Sequence, residues 1–557
     1  AGGTGVDTIS ITTAGETVAD ADFTDVDSVA ALAVADGASA TVTIDTEALA
    51  GGIVSLFGGT GDDTFNAGAA YDGTQAVTLI GGAGADSLLG RDQADSIVGE
   101  AGNDVINGRG GADNLDGGAD NDTFVFSTAA LLNLAATVAG GTGADTISIT
   151  TAGETVADAD FTDVDSVAAL VVADGAGANV TIGTEAQAGG IVSLFGGTGA
   201  DTFDASNAAY NTTGVYFQGN GGADSLIGGG STDKFVFATS AALNLAATVA
   251  GGSGNDTISL TTHNQAVVDA DFTDVLAVQA LTFADGTGSS AVLAGLANTA
   301  GIASVYGGSG NDTLTVDETI YTGPTFEGAD GTDVLVLSNN AATVTDSFFT
   351  NVLSVASFQT ANGANDITLG AQATEAGIAT VTGGTGNDIL NAVAMTSAVT
   401  LMGGLGEDTL TGGSGGSRQQ GWSGTASANT YRDTLTGGSG ADSFVLGNAV
   451  SNAYGFDSNP ATNYRALISG FDTGATDDVL VLNALGQSGA LTVEASTTIA
   501  NRMDIKMGGL LVYRFNYDNA GQTAALYVGD STNVVAEFNN FTSGGQNLST
   551  SNFQILG

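Results

Sequence analysis

The sequence predicts an all-β protein: short strands stacked as successive coils of a right-handed parallel β-solenoid, closed towards the C-terminus by a β-rich cap. Three observations predict it. A Gly- and Asp-rich turn returns at short intervals, the segments between turns are short and β-branched, and apolar helical periodicity is nearly absent.

Taken in order, residues 41–44, 53–57 and 77–80 read as strands, because they are Thr-, Val- and Ile-rich and bounded by Gly and Asp turns. Residues 129–138 are too short and too rich in Ala, Leu and Thr to assign. The same turn recurs at roughly 20–25 residues in several places, which favours stacked coils over a sandwich.

The chain also repeats on a longer scale. Residues 1–36 recur at 139–174 with two changes, Val6 to Ala144 and Ala33 to Val171. A third copy starts at Ala250, where Asp269 to Val275 match Asp20 to Val26 and Asp158 to Val164, and a fourth is recognisable around Phe349 to Val352. The expected organisation is four modules, 1–138, 139–249, 250–343 and 344–446, followed by a different region over 447–557.

Composition narrows the partners. The 557 residues carry 9 Lys+Arg against 61 Asp+Glu, a formal charge of −52. Such a field excludes nucleic acid and anionic membrane surfaces and favours cations. Disorder does not follow, because 43% of the residues are hydrophobic. There is no Cys, so disulfides and Cys-ligated zinc are excluded, and no apolar run of about 18 residues reads as a membrane span. The chain starts at Ala1 inside a repeat motif, which reads as a processed product or as part of a longer protein.

The chemistry lies in the turn Gly-Gly-x-Gly-x-Asp, followed by a small or polar residue and then an apolar one. From Gly81 it runs in tandem at a nine-residue step, over 81–89, 90–98, 99–107, 108–116 and 117–125, with Leu88, Ile97, Ile106, Leu115 and Phe124 in one frame. Five copies in frame are not linker composition. This pattern resembles the RTX nonapeptide of calcium-binding proteins, and the resemblance implies a β-roll in which glycine-rich halves form turns, the apolar position starts a strand, and several calcium ions sit between stacked turns.

The residue types suit that metal. A hard divalent cation takes about six to eight oxygens. Backbone carbonyls and short Asp side chains supply them, and glycine lets the backbone approach the ion. The resemblance places the carboxylate ligand at the sixth motif position: Asp86, Asp95, Asp104, Asp113 and Asp122 in the first tract, Asp224 and Asp233 in the second, and Asp408, Asp433 and Asp442 in the third. Isolated copies add Asp7, Asp63, Asp145, Asp201, Asp256, Asp312, Asp333 and Asp388, which a coil of about two dozen residues would bring into register with neighbouring turns. Without metal, stacked carboxylates repel by about 1 kcal/mol per pair even at the dielectric of water, so calcium is expected to be part of the fold. Two copies depart from the pattern, Gly90-Arg91-Asp92-Gln93 and the one in which Ser417 replaces Asp, and these are expected to hold metal poorly or not at all. A segment over 418–430 is expected to interrupt the third tract.

No catalytic constellation accompanies the repeats, and the chain is expected not to be an enzyme. The one His, His263, cannot make a His-Glu-x-x-His zinc motif and reads as a surface-loop residue. Gly412-Gly413-Ser414-Gly415-Gly416 matches Gly-x-Ser-x-Gly only formally, because it lies in a repeat turn rather than between a strand and a helix. Paired carboxylates abound without a sugar cleft to serve.

After Ser417 the composition changes. Six of the nine basic residues, Arg418, Arg432, Arg465, Arg502, Lys506 and Arg514, and the single Trp, Trp422, lie there. Ile468-Ser469-Gly470-Phe471-Asp472 with residues 477–482 resembles the segment that closes RTX arrays ahead of a type I secretion signal, and the last strands would cap the open edge. Trp422 and its arginines could also contact an acidic neighbouring subunit.

The segment Phe-Thr-Asp-Val-x-Ser-Val-Ala-Ala-Leu resembles strand repeats of bacterial RTX surface-layer proteins. That resemblance implies a secreted, calcium-loaded structural protein on the cell surface, exported by type I machinery and assembling with further copies of itself into a lattice, with polysaccharide contact through a region outside this chain. An RTX adhesin stalk, or the RTX portion of a secreted enzyme, is the alternative.

Overall fold

A computed structural model describes residues 2–68 except 14 and 38, 75–207, 212–422 and 432–446 except 439. Beyond these it describes the strands Arg465–Ser469, Val479–Asn483, Leu491–Ala495, Arg502–Met507, Leu510–Asp518, Thr523–Val528, Val534–Asn539 and Phe553–Leu556. The chain divides into two compact units, one of residues 1–262 with 270–281 and 299–302, the other of 263–269, 282–298 and 303–557.

Strands in the first unit pair in parallel with their counterparts one coil away, so that apolar side chains of equal position stack into columns. One column runs Ile9, Leu32, Leu56, Leu79, Ile97, Leu115, Val138 and Val164. A second runs Val18, Val42, Phe65, Leu88, Ile106, Phe124, Ile147, Leu170, Leu194, Phe217, Phe235 and Ile258. A third, from Val156 through Val180, Phe203, Leu226 and Val249 to Val275, fills the later coils. All but Ile9 are buried, each worth about 1.5–3 kcal/mol when its side chain leaves water. The aromatic members add ring contacts, as where Phe217 and Phe235 stack at 5.0 Å.

The second unit repeats the construction. One column runs Val267, Ala291, Leu314, Leu335, Phe358, Val381, Leu401, Gln419 and Phe444, and another Val344, Ile367, Leu390, Leu410, Leu435 and Ile468. Towards the C-terminus the pairing changes from parallel to antiparallel, through Leu491–Ala495, Arg502–Met507, Leu510–Asp518, Thr523–Val528 and Val534–Asn539. The fold is thus an all-β parallel solenoid that ends in an antiparallel sheet, as expected.

Three details add to the sequence expectation. Ala129–Leu134 is a short helix and Thr137–Thr142 a strand. The segment carrying the Phe-Thr-Asp-Val repeat starts in a 3-10 turn, Asp20–Phe23, and reaches strand only at Ala31–Val34. Within the segment expected to interrupt the third tract, Ser417–Trp422 pairs in register with Val399–Gly404. One-turn helices leave too short an apolar period to be seen in sequence.

The first Asp of the 3-10 turn bonds helix to coil. Asp158 accepts the N–H groups of Gly183 and Ala186 with Oδ1 (2.7 and 3.0 Å) and of Glu185 with Oδ2 (3.3 Å), at the start of helix Thr184–Gly189. Asp20, Asp269 and Asp346 make the same three-fold cap one coil on, to residues 45–48, 294–297 and 370–373. Each satisfies otherwise orphaned helix N–H groups and ties consecutive coils together.

Candidate metal centre

In the first tandem tract the coil is 18 residues long and contains two nonapeptides, so alternate copies rather than consecutive ones meet. Oδ1 of each motif Asp accepts the backbone N–H of the equivalent residue in the preceding coil: Asp63 to Asp86 (2.6 Å), Asp86 to Asp104 (2.7 Å), Asp104 to Asp122 (2.9 Å) and Asp122 to Asp145 (2.8 Å). Asp95 and Asp113 form the corresponding pair on the other side, at 2.8 Å.

The same ladder recurs between Asp201 and Asp224, Asp233 and Asp256, and Asp312 and Asp333, then through Asn365, Asp388, Asp408 and Asp433. Asp442 accepts from Ser417. Asp7 takes the N–H of Gly3 and joins no other motif Asp. Elsewhere the partner turns lie 20 to 25 residues apart, as in Asp388 to Asp408, Asp63 to Asp86 and Asp408 to Asp433.

Seventeen of the eighteen predicted aspartates are buried, Asp7 being half-exposed. Their second oxygens carry the electrostatic problem. Oδ2 of Asp86, Asp104, Asp122, Asp145, Asp256, Asp312, Asp333, Asp388 and Asp408 is buried without a hydrogen-bond partner. A buried carboxylate oxygen in that state is costly unless a cation or proton meets it. Burial, reinforced by neighbouring carboxylates, pushes Asp86 up to about 6, Asp104 up to about 7 and Asp408 up to about 8.

The glycines keep the space beside that oxygen open. A Cβ on Gly99 would overlap Asp104 Oδ2 and stand 2.5 Å from the Gly117 carbonyl of the next coil, and one on Gly81 would overlap Asp86 Oδ2. Gly82 and Gly84 hold φ of +107° and +127°, which bends the turn back.

Asn365 identifies what else lines this space. At this sixth position the amide Nδ2 lies 2.7–3.2 Å from five oxygens: Thr360 Oγ1, the carbonyls of Ala361, Gly363 and Gly383, and Asp388 Oδ1. An amide has two hydrogens, so the shell holds more acceptors than it can bond. With Asp in place of Asn, the same shell becomes all oxygen and negatively charged, which is the donor set of calcium. Among the described residues no three carboxylate or imidazole side chains converge, so these centres depend on main-chain carbonyls.

Four turns lack a glycine motif in the next coil, and sequence reasoning missed what completes them. The carbonyls of Ser28, Ser166, Ala277 and Ser354 lie against the first motif glycine beside Asp7, Asp145, Asp256 and Asp333. Each of these residues is left-handed, with φ of 54–58°. The available signal was their common place five residues after the Phe of the long repeat.

The two departures are resolved differently. Arg91 is buried and its cation acts on Asp95, opposing the rise that burial causes, while Asp95 Oδ2 takes the Arg91 N–H at 2.5 Å. Ser417 donates N–H and Oγ–H to Asp442 Oδ1, both at 2.7 Å, and Gln419 Nε2 donates to Ser417 Oγ and the Thr436 carbonyl. The side chains of Trp422 and Arg432, proposed as a subunit contact, lie outside the described residues, as do Gly470, Phe471 and Asp472.

The sequence model of the RTX calcium-binding nonapeptide repeat (4 copies) matches nine stretches: 51–74, 70–97, 89–124, 216–237, 246–260, 299–318, 375–392, 393–416 and 424–448. No curated protein matches the chain. The matched stretches include most of the aspartate ladders described above. The matched stretches, which together cover about a third of the chain, are RTX repeats, and such repeats bind several calcium ions.

Proposed function

We propose that this is a structural protein of the cell surface, folded by calcium held at motif aspartates and assembling with further copies of itself into an extracellular layer. The observation that carries the proposal is the repetition itself. The same three-fold Asp cap recurs in four modules and the aspartate ladder in both units, and every buried carboxylate it supplies is used in stacking one coil on the next.

The enzymatic alternative finds little support in the described residues. His263 is exposed, with Nδ1 bonded to Thr287 Oγ1 at 3.0 Å, and Ser414 Oγ bonds the Met395 carbonyl rather than a base. No described helix is long and apolar enough to cross a membrane. RTX repeat proteins are of the secreted type, and calcium supplies the timing: a chain poor in calcium stays open for type I export and folds outside. Bridging ions would also offset repulsion between faces whose summed charge is −52 per chain.

Negative-stain imaging of the purified chain in millimolar calcium, and again after chelation, tests the reading. Sheets that dissolve on chelation are expected. Folded single particles at every concentration would transfer the role to an adhesin stalk or to the repeat portion of an enzyme.

A further inference from the structure

We infer that the turn pair around Asn365 and Asp388 is closed by the Asn365 amide in place of a metal ion, so that this coil of the second unit holds together without calcium. The inference rests on calcium binding by the other turns and not on the surface-layer reading.

Four observations carry it. Asn365 is buried and stands at the motif position that Asp388 occupies in the next coil, with Oδ1 accepting the Ala342 N–H at 2.9 Å and its own N–H donating to Asp388 Oδ1 at 2.8 Å. That pairing fixes the amide's orientation, because a flipped amide would aim an acceptor at five other acceptors. Nδ2 then projects among Thr360 Oγ1, three carbonyls and Asp388 Oδ1, so a positively polarised N–H₂ occupies the centre of the shell. Finally, Thr360 replaces the usual first glycine and fills the space with a hydroxyl that itself bonds the Gly383 carbonyl.

The residues at this turn therefore do not fit a calcium ion: the turn's own motif carboxylate is replaced by an amide, and its nitrogen stands where the ion would. The device appears a second time in altered form. Gln419 sits in an otherwise apolar column, fully buried, and sends Nε2 to Ser417 Oγ and the Thr436 carbonyl beside Gly412, where Ser replaces the motif Asp. A chelated chain should keep local order at these amide-closed turns while the carboxylate-closed turns open.

The test uses the full chain. Calcium per chain is counted by equilibrium dialysis for the wild type, Asn365→Asp and Asn365→Ala, and amide hydrogen exchange is followed with calcium and with excess chelator. Wild type is expected to keep residues 361–368 protected in chelator while 99–107 lose protection. Asn365→Asp should bind one more calcium and make 361–368 calcium-dependent, and Asn365→Ala should gain no ion and exchange roughly tenfold or more faster there in both conditions. An unchanged calcium count in Asn365→Asp, or wild-type exchange at 361–368 as fast in chelator as at 99–107, would overturn the inference.

Discussion

The backbone N–H of Asp104 donates to Oδ1 of Asp122 at 2.9 Å, while Oδ2 of both side chains is buried with no partner. One carboxylate thus does two things: half of it belongs to the ladder that stacks the coils, and half faces a space that glycine keeps clear. The two halves predict opposite responses to metal and to mutation.

Asp104→Asn keeps the ladder acceptor and removes the charge. The variant should lose at least one calcium in a titration and be more stable than wild type by about 1–3 kcal/mol in chelator at neutral pH. A destabilised metal-free variant in denaturant unfolding would contradict this account of the orphan oxygen.

Glycine substitutions should separate by position. Gly99→Ala places a methyl on Asp104 Oδ2 and 2.5 Å from the Gly117 carbonyl, so it should abolish the local site and cost more than about 2 kcal/mol in calcium. Gly37→Ala meets a left-handed backbone, φ +115°, but open space around the new carbon. It should cost only about 1–2 kcal/mol and leave calcium binding intact, as isothermal titration would show.

The pH dependence has a definite sign. Desolvation raises Asp86, Asp122, Asp224, Asp256 and Asp333 to about 6, Asp104 and Asp113 to about 7 and Asp408 to about 8, from 3.8. Between those values the folded chain binds more protons than the unfolded one, so metal-free stability is greatest near pH 4 and falls as pH rises through 6 to 8. Calcium needs the deprotonated form, so its affinity should rise over the same window and its binding release protons. Unfolding curves from pH 4 to 8, with calcium and with chelator, should cross. Parallel curves would mean that these carboxylates do not titrate with the fold.

Asp158→Ala removes three N–H acceptors at the helix Thr184–Gly189 without touching a motif position. The expected loss is about 1–2 kcal/mol with the calcium count unchanged, and hydrogen exchange should accelerate at 183–186.

Much of the molecule follows from local pattern. The nine-residue step of Leu88, Ile97, Ile106, Leu115 and Phe124 determines five buried strand positions, and Asp86 to Asp122 determine the carboxylates, because glycine conformation and Asp reach are properties of neighbouring residues. Tertiary structure alone decided which carboxylates meet. The step of nine suggests that Asp86 neighbours Asp95, yet a coil holds two nonapeptides, so Asp86 pairs with Asp104 instead. The Asp158 cap and the amide of Asn365 were equally out of reach. Their partners lie one coil away along the chain, and the length of each coil is set by how the apolar columns stack rather than by any short motif.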